Sequence, residues 1–370
     1  MARRVELDTH SQLLKQLGMG IFKQRLPWLG GDLQTLRDTL RPVNFPLDCG
    51  EEILIDVPAM PSGAAGPGQL LALLDRPAKT QPTSGLVLLL HGLGGSSRRE
   101  GLRRMAFALQ QAGFAVLRLN LRGADPGRHL AAGTYAAECN SDLGPVLQRA
   151  RKLCQQLAND GFAAKTALPL LGAGISLGGT MLLNACLETR HAPAAGKPVL
   201  DGLVCTSSPL DLAACSASIE SPRNTVYKRW LLKRLVRQTL ADPAGVTPSE
   251  QQLLCGVAGQ GSVASIRDFD AAITAPRWGY RDVDAYYSGA SPLAALHASR
   301  TGLPPTLIVQ ALDDPWVPAD AAQGLADQKA PSSDWLEVLM TNHGGHNGFH
   351  GIGGCWGDQL VVRWLSQFVS

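Results

Sequence analysis

Apolar and polar positions along the 370-residue chain fall into two regimes. The first 50 residues are irregular: Ser11 to Phe22 carries a helical period, and a polar, glycine-led stretch, Gly30 to Leu36, follows. Glu52–Val57 and Gln69–Leu74 then read as strands. The glycine- and proline-rich segment between them predicts an antiparallel pair at a sheet edge. From Leu86 the pattern becomes strand–helix alternation, which implies a mainly parallel sheet covered on both faces. Strands are expected at Leu86–Leu90, Phe114–Asn120, Leu168–Ile175, around Leu203, at Thr306–Ala311 and at Trp335–Met340. Helices are expected at Arg98–Gln111, Ser141–Leu157, Leu177–Leu187, Ala319–Gln328 and Trp356–Val369. Between Asp211 and Tyr287 the alternation stops, and the charged, helical pattern there reads as a large insertion.

The sharpest feature lies where one buried run breaks. Gly174-Ile-Ser176-Leu-Gly178 sits between the predicted strand ending at Ile175 and the helix beginning at Leu177. This is the strand–turn–helix setting of a nucleophile elbow, in which the glycines allow a turn too tight for side chains and lift the serine clear of the sheet. Two other readings compete: a plain glycine-rich turn, and the glycine spacing Gly172-Ala-Gly174 to Gly178 of a dinucleotide-binding loop. The latter calls for an acidic residue ending the next strand, and Gly202-Leu-Val-Cys-Thr-Ser supplies none.

An activated serine needs a base and a carboxylate to orient that base. Both belong on loops after late strands, and both are found there. Strand Leu307–Leu312 runs into Asp313-Asp314-Pro315-Trp-Val-Pro318, and strand Leu336–Thr341 runs into His343-Gly-Gly-His346. Asp314 is the candidate acid because the Pro-x-x-Pro turn frame would fix its carboxylate, leaving Asp313 to bond the loop. His346 is the candidate base, with His343 as the alternative; Gly344-Gly345 frees the backbone of His346 to approach the serine. A metal site among His343, His346 and His350 lacks a matching cysteine or carboxylate cluster. His91-Gly92-Leu93 directly follows the first parallel strand, so the N–H groups of Leu93 and Leu177 are the expected oxyanion donors.

Composition narrows the picture without redirecting it. Thirty-four basic and 31 acidic residues leave a net charge of +3, too small a field for nucleic-acid binding. The runs Arg98-Arg99 with Arg103-Arg104, and Lys228-Arg229 with Lys233-Arg234, read as solvated helix faces. Near the second, Trp230, Leu231, Leu232, Leu235 and Val236 form an apolar side that admits contact with a membrane surface. Eight scattered cysteines without a C-x-x-C pair suggest a reducing compartment. With no apolar leader at Met1 to Asp8 and no membrane-length apolar run, a soluble cytoplasmic protein is expected.

Several blocks together resemble the YheT-like members of the α/β-hydrolase superfamily, AB-hydrolase family 4. They are Leu33-Gln-Thr35, His91-Gly-Leu-Gly-Gly-Ser-Ser97, Asn120-Leu-Arg-Gly123, the elbow, Asp268-Phe-Asp270 to Pro276, Tyr286-Tyr287 to Pro292, and Gly344 to Phe349. The resemblance implies an α/β-hydrolase fold with a helical cap and a serine hydrolase of carboxylic esters, lipid-like in some members; relatives also include acyltransferases. The chain departs from the pattern at Asp32, where histidine is usual, and at Thr134-Tyr135-Ala-Ala-Glu138, where Tyr-His-Ser-Gly often stands. The second departure bears on the pocket and on the order of that loop.

The expected division is an N-terminal arm (1–50), a core in two parts (51–210 and 290–370) and a helical cap (211–289). The expected activity is cleavage of apolar acyl esters through an acyl-enzyme on Ser176, with Asp314 and His346 as partners and no metal or cofactor. An acyltransferase using the same residues and a non-catalytic binding scaffold are the alternatives.

Overall fold

The computed structural model describes residues 10–42, 45, 50–77, 82–160, 167–188, 198–256, 262–298, 302–328 and 336–369. Met1–Asp8, Cys49 and Trp335, which entered the reading above, lie outside the described residues.

Eight strands form one sheet: β1 (Glu51–Val57), β2 (Gly68–Asp75), β3 (Gly85–Leu90), β4 (Phe114–Leu119), β5 (Leu170–Ile175), β6 (Gly202–Thr206), β7 (Thr306–Ala311) and β8 (Leu336–Thr341). Their order is β1-β2-β4-β3-β5-β6-β7-β8. The first pair is antiparallel, β1 forms the edge, and β2 also joins β4 antiparallel. From β4 to β8 every pairing is parallel. This is the mostly parallel, helix-flanked sheet of an α/β-hydrolase fold.

The strands are apolar throughout because both faces are covered. Along β3, Leu86, Leu88 and Leu90 join one hydrophobic cluster, while Val87 and Leu89 join another on the opposite face. The helices Asn140–Asn159 and Leu177–Leu187 cover the first face, and Glu100–Gln111 and Trp356–Ser366 the second. Each fully buried leucine contributes on the order of 1.5–3 kcal/mol.

Between β6 and β7 the described residues form mainly helices joined by loops, with Leu212–Glu220, Thr225–Leu240, Pro248–Cys255 and Val283–Ala290 as the longer elements. A five-residue π-turn, Asp270–Thr274, interrupts a helical run there. This segment has a small apolar cluster of its own, built on Leu231, Leu235, Leu254, Ile266, Phe269 and Ile273. Arg277 links Asp242 and Glu250 across it, at 2.8 Å each.

One surface expectation is corrected. Arg104, read as part of a solvated helix face, is an interior ion-pair partner of Asp38 and of Asp358, the latter at 2.6 Å. The helix Gly30–Leu40 covers the position that would otherwise face water. Arg103 stays nearer the surface, over the Phe45 ring.

Candidate active site

Ser176 follows β5 with φ 55° and ψ −127°, a conformation that costs a non-glycine residue about 1–3 kcal/mol. Its backbone N–H donates to Thr206 O on β6 at 2.8 Å, fixing the turn to the sheet. A side chain at Gly174 would fall into the backbone of Gly179, which explains why glycine must precede the serine by two. Ser176, Ser207, Asn347 and Phe349 are the non-glycine residues with positive φ among those described. All four lie on the serine turn, the adjacent β6 end or the histidine loop. Backbone strain is therefore concentrated where three loops meet.

His346 Nε2 lies 2.9 Å from Ser176 Oγ, and His346 Nδ1 lies 3.0 Å from Asp314 Oδ2. With Nδ1–H donating to the carboxylate, Nε2 is left as the acceptor for the serine hydroxyl. The turn frame holds Asp314 as its proline spacing predicts: Oδ1 accepts from the N–H groups of Trp316 and Val317 at 2.8 and 3.0 Å. The Trp316 ring lies against the imidazole, centroids 4.4 Å apart, and limits its rotation.

The neighbouring candidates have other partners. Asp313 accepts from Gly345 N–H at 2.8 Å and faces the exposed His343 at 3.2 Å. His350 faces Asp38 at 3.1 Å. The three histidines of this loop thus face three different aspartates, and among the described residues no group of His, Cys, Asp and Glu is arranged to hold a metal.

Leu93 and Leu177 line a cavity of about 550 Å³ that also opens on Ser176 and His346. Leu177 is the first residue of its helix, so its N–H has no intrahelical acceptor. The loop bearing Leu93 is held from two sides. Gly94 N–H donates to the Tyr135 hydroxyl at 2.5 Å, and His91 bonds Gly92 O through Nδ1 while its Nε2 accepts from Leu121 N–H. Burial lowers the His91 pKa to about 4, so the ring is neutral in this structural role. The departure at Thr134–Glu138 leaves this loop packed: Tyr135 is buried, Ala137 N–H donates to the Tyr286 hydroxyl, and the Tyr280 hydroxyl donates to Glu138.

Two groups escaped the sequence reading. The first is the pair Gln34 and Thr35 of the N-terminal helix. Thr35 Oγ1 accepts from His346 N–H at 2.8 Å and donates to Gly31 O at 2.7 Å. Gln34 takes both backbone groups of His350, accepting from its N–H at 2.7 Å and donating to its carbonyl at 3.0 Å. Gly345 lies so close to Gly31 that a side chain would not fit between them. The block Leu33-Gln-Thr35 was visible as a motif, but nothing local tied it to a loop more than 300 residues away.

The second is Asp270, on the π-turn and lining the cavity. Thr274 donates to its Oδ1 at 2.8 Å; the Tyr287 hydroxyl lies 2.9 Å from Oδ2 and 3.0 Å from Ser216 Oγ. Burial pushes the Asp270 carboxyl up to about 6, against the lowering effect of those hydrogen bonds. Apolar side chains, including Leu212, Ile219, Leu231 and Ile266, make up much of the remaining wall.

Comparisons with known proteins give the family and the fold. A family model described as the alpha/beta hydrolase family matches residues 87–351, well over half of the chain. Phospholipase ABHD3 of Bos taurus is 28% identical over 295 residues, covering 79% of this chain and 64% of the relative, so the chain spans just under two thirds of that protein. The putative esterase YheT of Escherichia coli (strain K12) is 31% identical over 314 residues, covering 81% and 82%. Among solved structures, the Pyrococcus furiosus esterase PF2001 superposes with a TM-score of 0.53 at 13% identity, over 89% of this chain and 97% of that one, which shows a shared fold. The chain belongs to the alpha/beta hydrolase family, among its YheT-like members.

Proposed function

We propose that this chain hydrolyses carboxylic esters with apolar acyl groups through an acyl-enzyme on Ser176. The observation that carries the reading is the unbroken line from Asp314 through His346 to Ser176, with the serine on a strained turn at the wall of an apolar cavity. Esterase and phospholipase are also the names borne by the relatives described above.

In this reading Ser176 Oγ attacks the ester carbonyl while its proton passes to His346 Nε2. Asp314 holds the resulting imidazolium, and the N–H groups of Leu93 and Leu177 receive the negative oxygen. Collapse expels the alcohol, which takes the proton from His346. A water then gives a proton to the same nitrogen as it attacks the acyl-enzyme, and collapse breaks the bond to Ser176 Oγ, which takes that proton back from His346 as the acid leaves. Such donors are worth on the order of 100- to 1000-fold each, because they are in place before charge develops. The helical segment 211–289 acts as a cap, and its apolar side chains form the acyl wall.

The test is turnover of p-nitrophenyl esters of graded acyl length, with and without a short-chain alcohol, by wild type and Ser176→Ala. Free acid as the main product, absent in the variant, is expected. A dominant transesterified product would make the chain an acyltransferase. No turnover of any ester by folded protein would favour a binding scaffold.

A further inference from the structure

Helix Thr225–Leu240 carries five basic residues and no acidic one. Its inward side, Leu231, Leu235 and Thr239, is buried. Its outward side is a single stripe at helical spacing: Val226, Arg229, Trp230, Lys233, Arg237 and Leu240, all exposed. Val226 is 78% exposed, Trp230 47% and Leu240 39%, so three cations and three apolar side chains share one face. Lys228 is neutralised by Glu220, and Arg223, just before the helix, by Asp32. Arg229, Lys233 and Arg237 form no salt bridge among the described residues; Arg237 acts on Asp125 only at longer range.

The stripe does not stand apart from the cavity. Trp230 and the adjacent Leu231 line it together with Ser176. The Trp230 ring is flanked by the guanidinium groups of Arg99 and Arg234, each 5.7 Å from its centroid. Asp32, through Arg223 and the Tyr227 hydroxyl at 3.1 Å, joins this helix to Gly30–Leu40, where Leu29 and Leu33 beside it are 47% and 40% exposed.

We propose that the Val226–Leu240 stripe is a docking surface for an anionic lipid bilayer, which it brings to the mouth of the Ser176 cavity. Charge complementarity selects the occupant: unpaired cations meet anionic headgroups, while the tryptophan and aliphatic groups seat at the headgroup boundary. A protein partner with a mostly apolar footprint would leave three cations buried without counter-charges. Docking itself needs no catalysis. Its purpose, delivery of an apolar ester from the lipid phase, rests on the hydrolase reading above.

Binding is therefore read in the full chain carrying Ser176→Ala, which separates it from turnover, by co-sedimentation with phosphatidylcholine vesicles with and without phosphatidylglycerol. Expected is binding to the anionic vesicles that weakens with salt, little binding to neutral ones, and a loss on the order of 100-fold in Arg229→Gln/Lys233→Gln/Arg237→Gln. Val226→Ser is expected to weaken vesicle binding several-fold while leaving heparin binding unchanged. The triple variant's fold is checked by its melting curve. Absence of wild-type binding to anionic vesicles at low salt would overturn the proposal, as would equal binding by the folded triple variant. An effectless Val226→Ser would make the stripe a general polyanion site and overturn it too.

Discussion

The two sides of the cavity are built differently. On the sheet side, the histidine loop is fixed by Thr35 and Gln34 of the N-terminal helix, Asp313 and Asp314 after β7, and Ser207 after β6. Behind it, Asp38, Arg104 and Asp358 form interior ion pairs joining three helices. Burial lowers the His350 pKa although Asp38 opposes this, while Asp38 itself is held well below the usual carboxylate range, its hydrogen bond with His350 and the nearby Arg104 charge outweighing burial. On the helical side, an apolar cluster of its own, the Arg277 ion pairs and hydrogen bonds to core loops, such as Trp278 to Thr134 O and Asn224 to Pro315 O, do the holding, and an exposed basic face looks outward. The difference teaches a division of labour. Asp314, His346 and Ser176, which the proposed reading needs in close register, are all held on the sheet side. In the proposed reading, the groups that select the ester sit on the helical side, beside the exposed basic face.

The largest effect should follow from breaking the sheet side at its acid. Asp314→Asn is expected to lower kcat by roughly 10⁴-fold, since the amide can no longer hold the imidazole in the required tautomer. Steady-state kinetics on a soluble ester checks this, and a loss below tenfold would remove Asp314 from the mechanism.

A smaller loss is expected one step further out. Thr35→Val removes the acceptor for His346 N–H and should lower kcat about 10- to 100-fold with KM little changed, because the imidazole is displaced rather than removed. Thr35→Ser should restore it. A merely structural threonine would instead lower the melting temperature and leave kcat of the folded enzyme intact.

The helical side is sharpened by pH. Because the folded Asp270 pKa is raised from 3.8 to about 6, the native state holds a proton that the unfolded chain has released across that window. The contribution of Asp270 to stability is thus fully present below pH 3.8 and falls as pH rises through about 6. Two units correspond to about 3 kcal/mol as an upper figure. Relative to wild type, Asp270→Asn should gain stability between pH 4 and pH 7 by up to that amount, measured by urea denaturation. A pH-independent difference would show that the carboxyl is ionised throughout.

Legibility followed locality. The strands were readable because a sheet covered on both faces demands unbroken apolar runs, as in Leu86–Leu90 and Thr306–Ala311. Ser176, Asp314 and His346 each sit just after a readable strand, so the parallel topology places all three at one end of the sheet. What stayed hidden depends on distant partners. Nothing near Thr35 announces His346, and the helical spacing of Arg103 and Arg104 says nothing of the helix that covers one of them. Asp270 looked like part of a family block, and its place at the cavity wall follows from how the helices between β6 and β7 fold back.

Whether Ser176 is an activated nucleophile is read most directly by labelling with a fluorophosphonate followed by peptide mass spectrometry. One adduct is expected, on the peptide containing Ser176, lost in Ser176→Ala and greatly slowed in His346→Ala. An adduct on another residue, or none on folded protein, would contradict it.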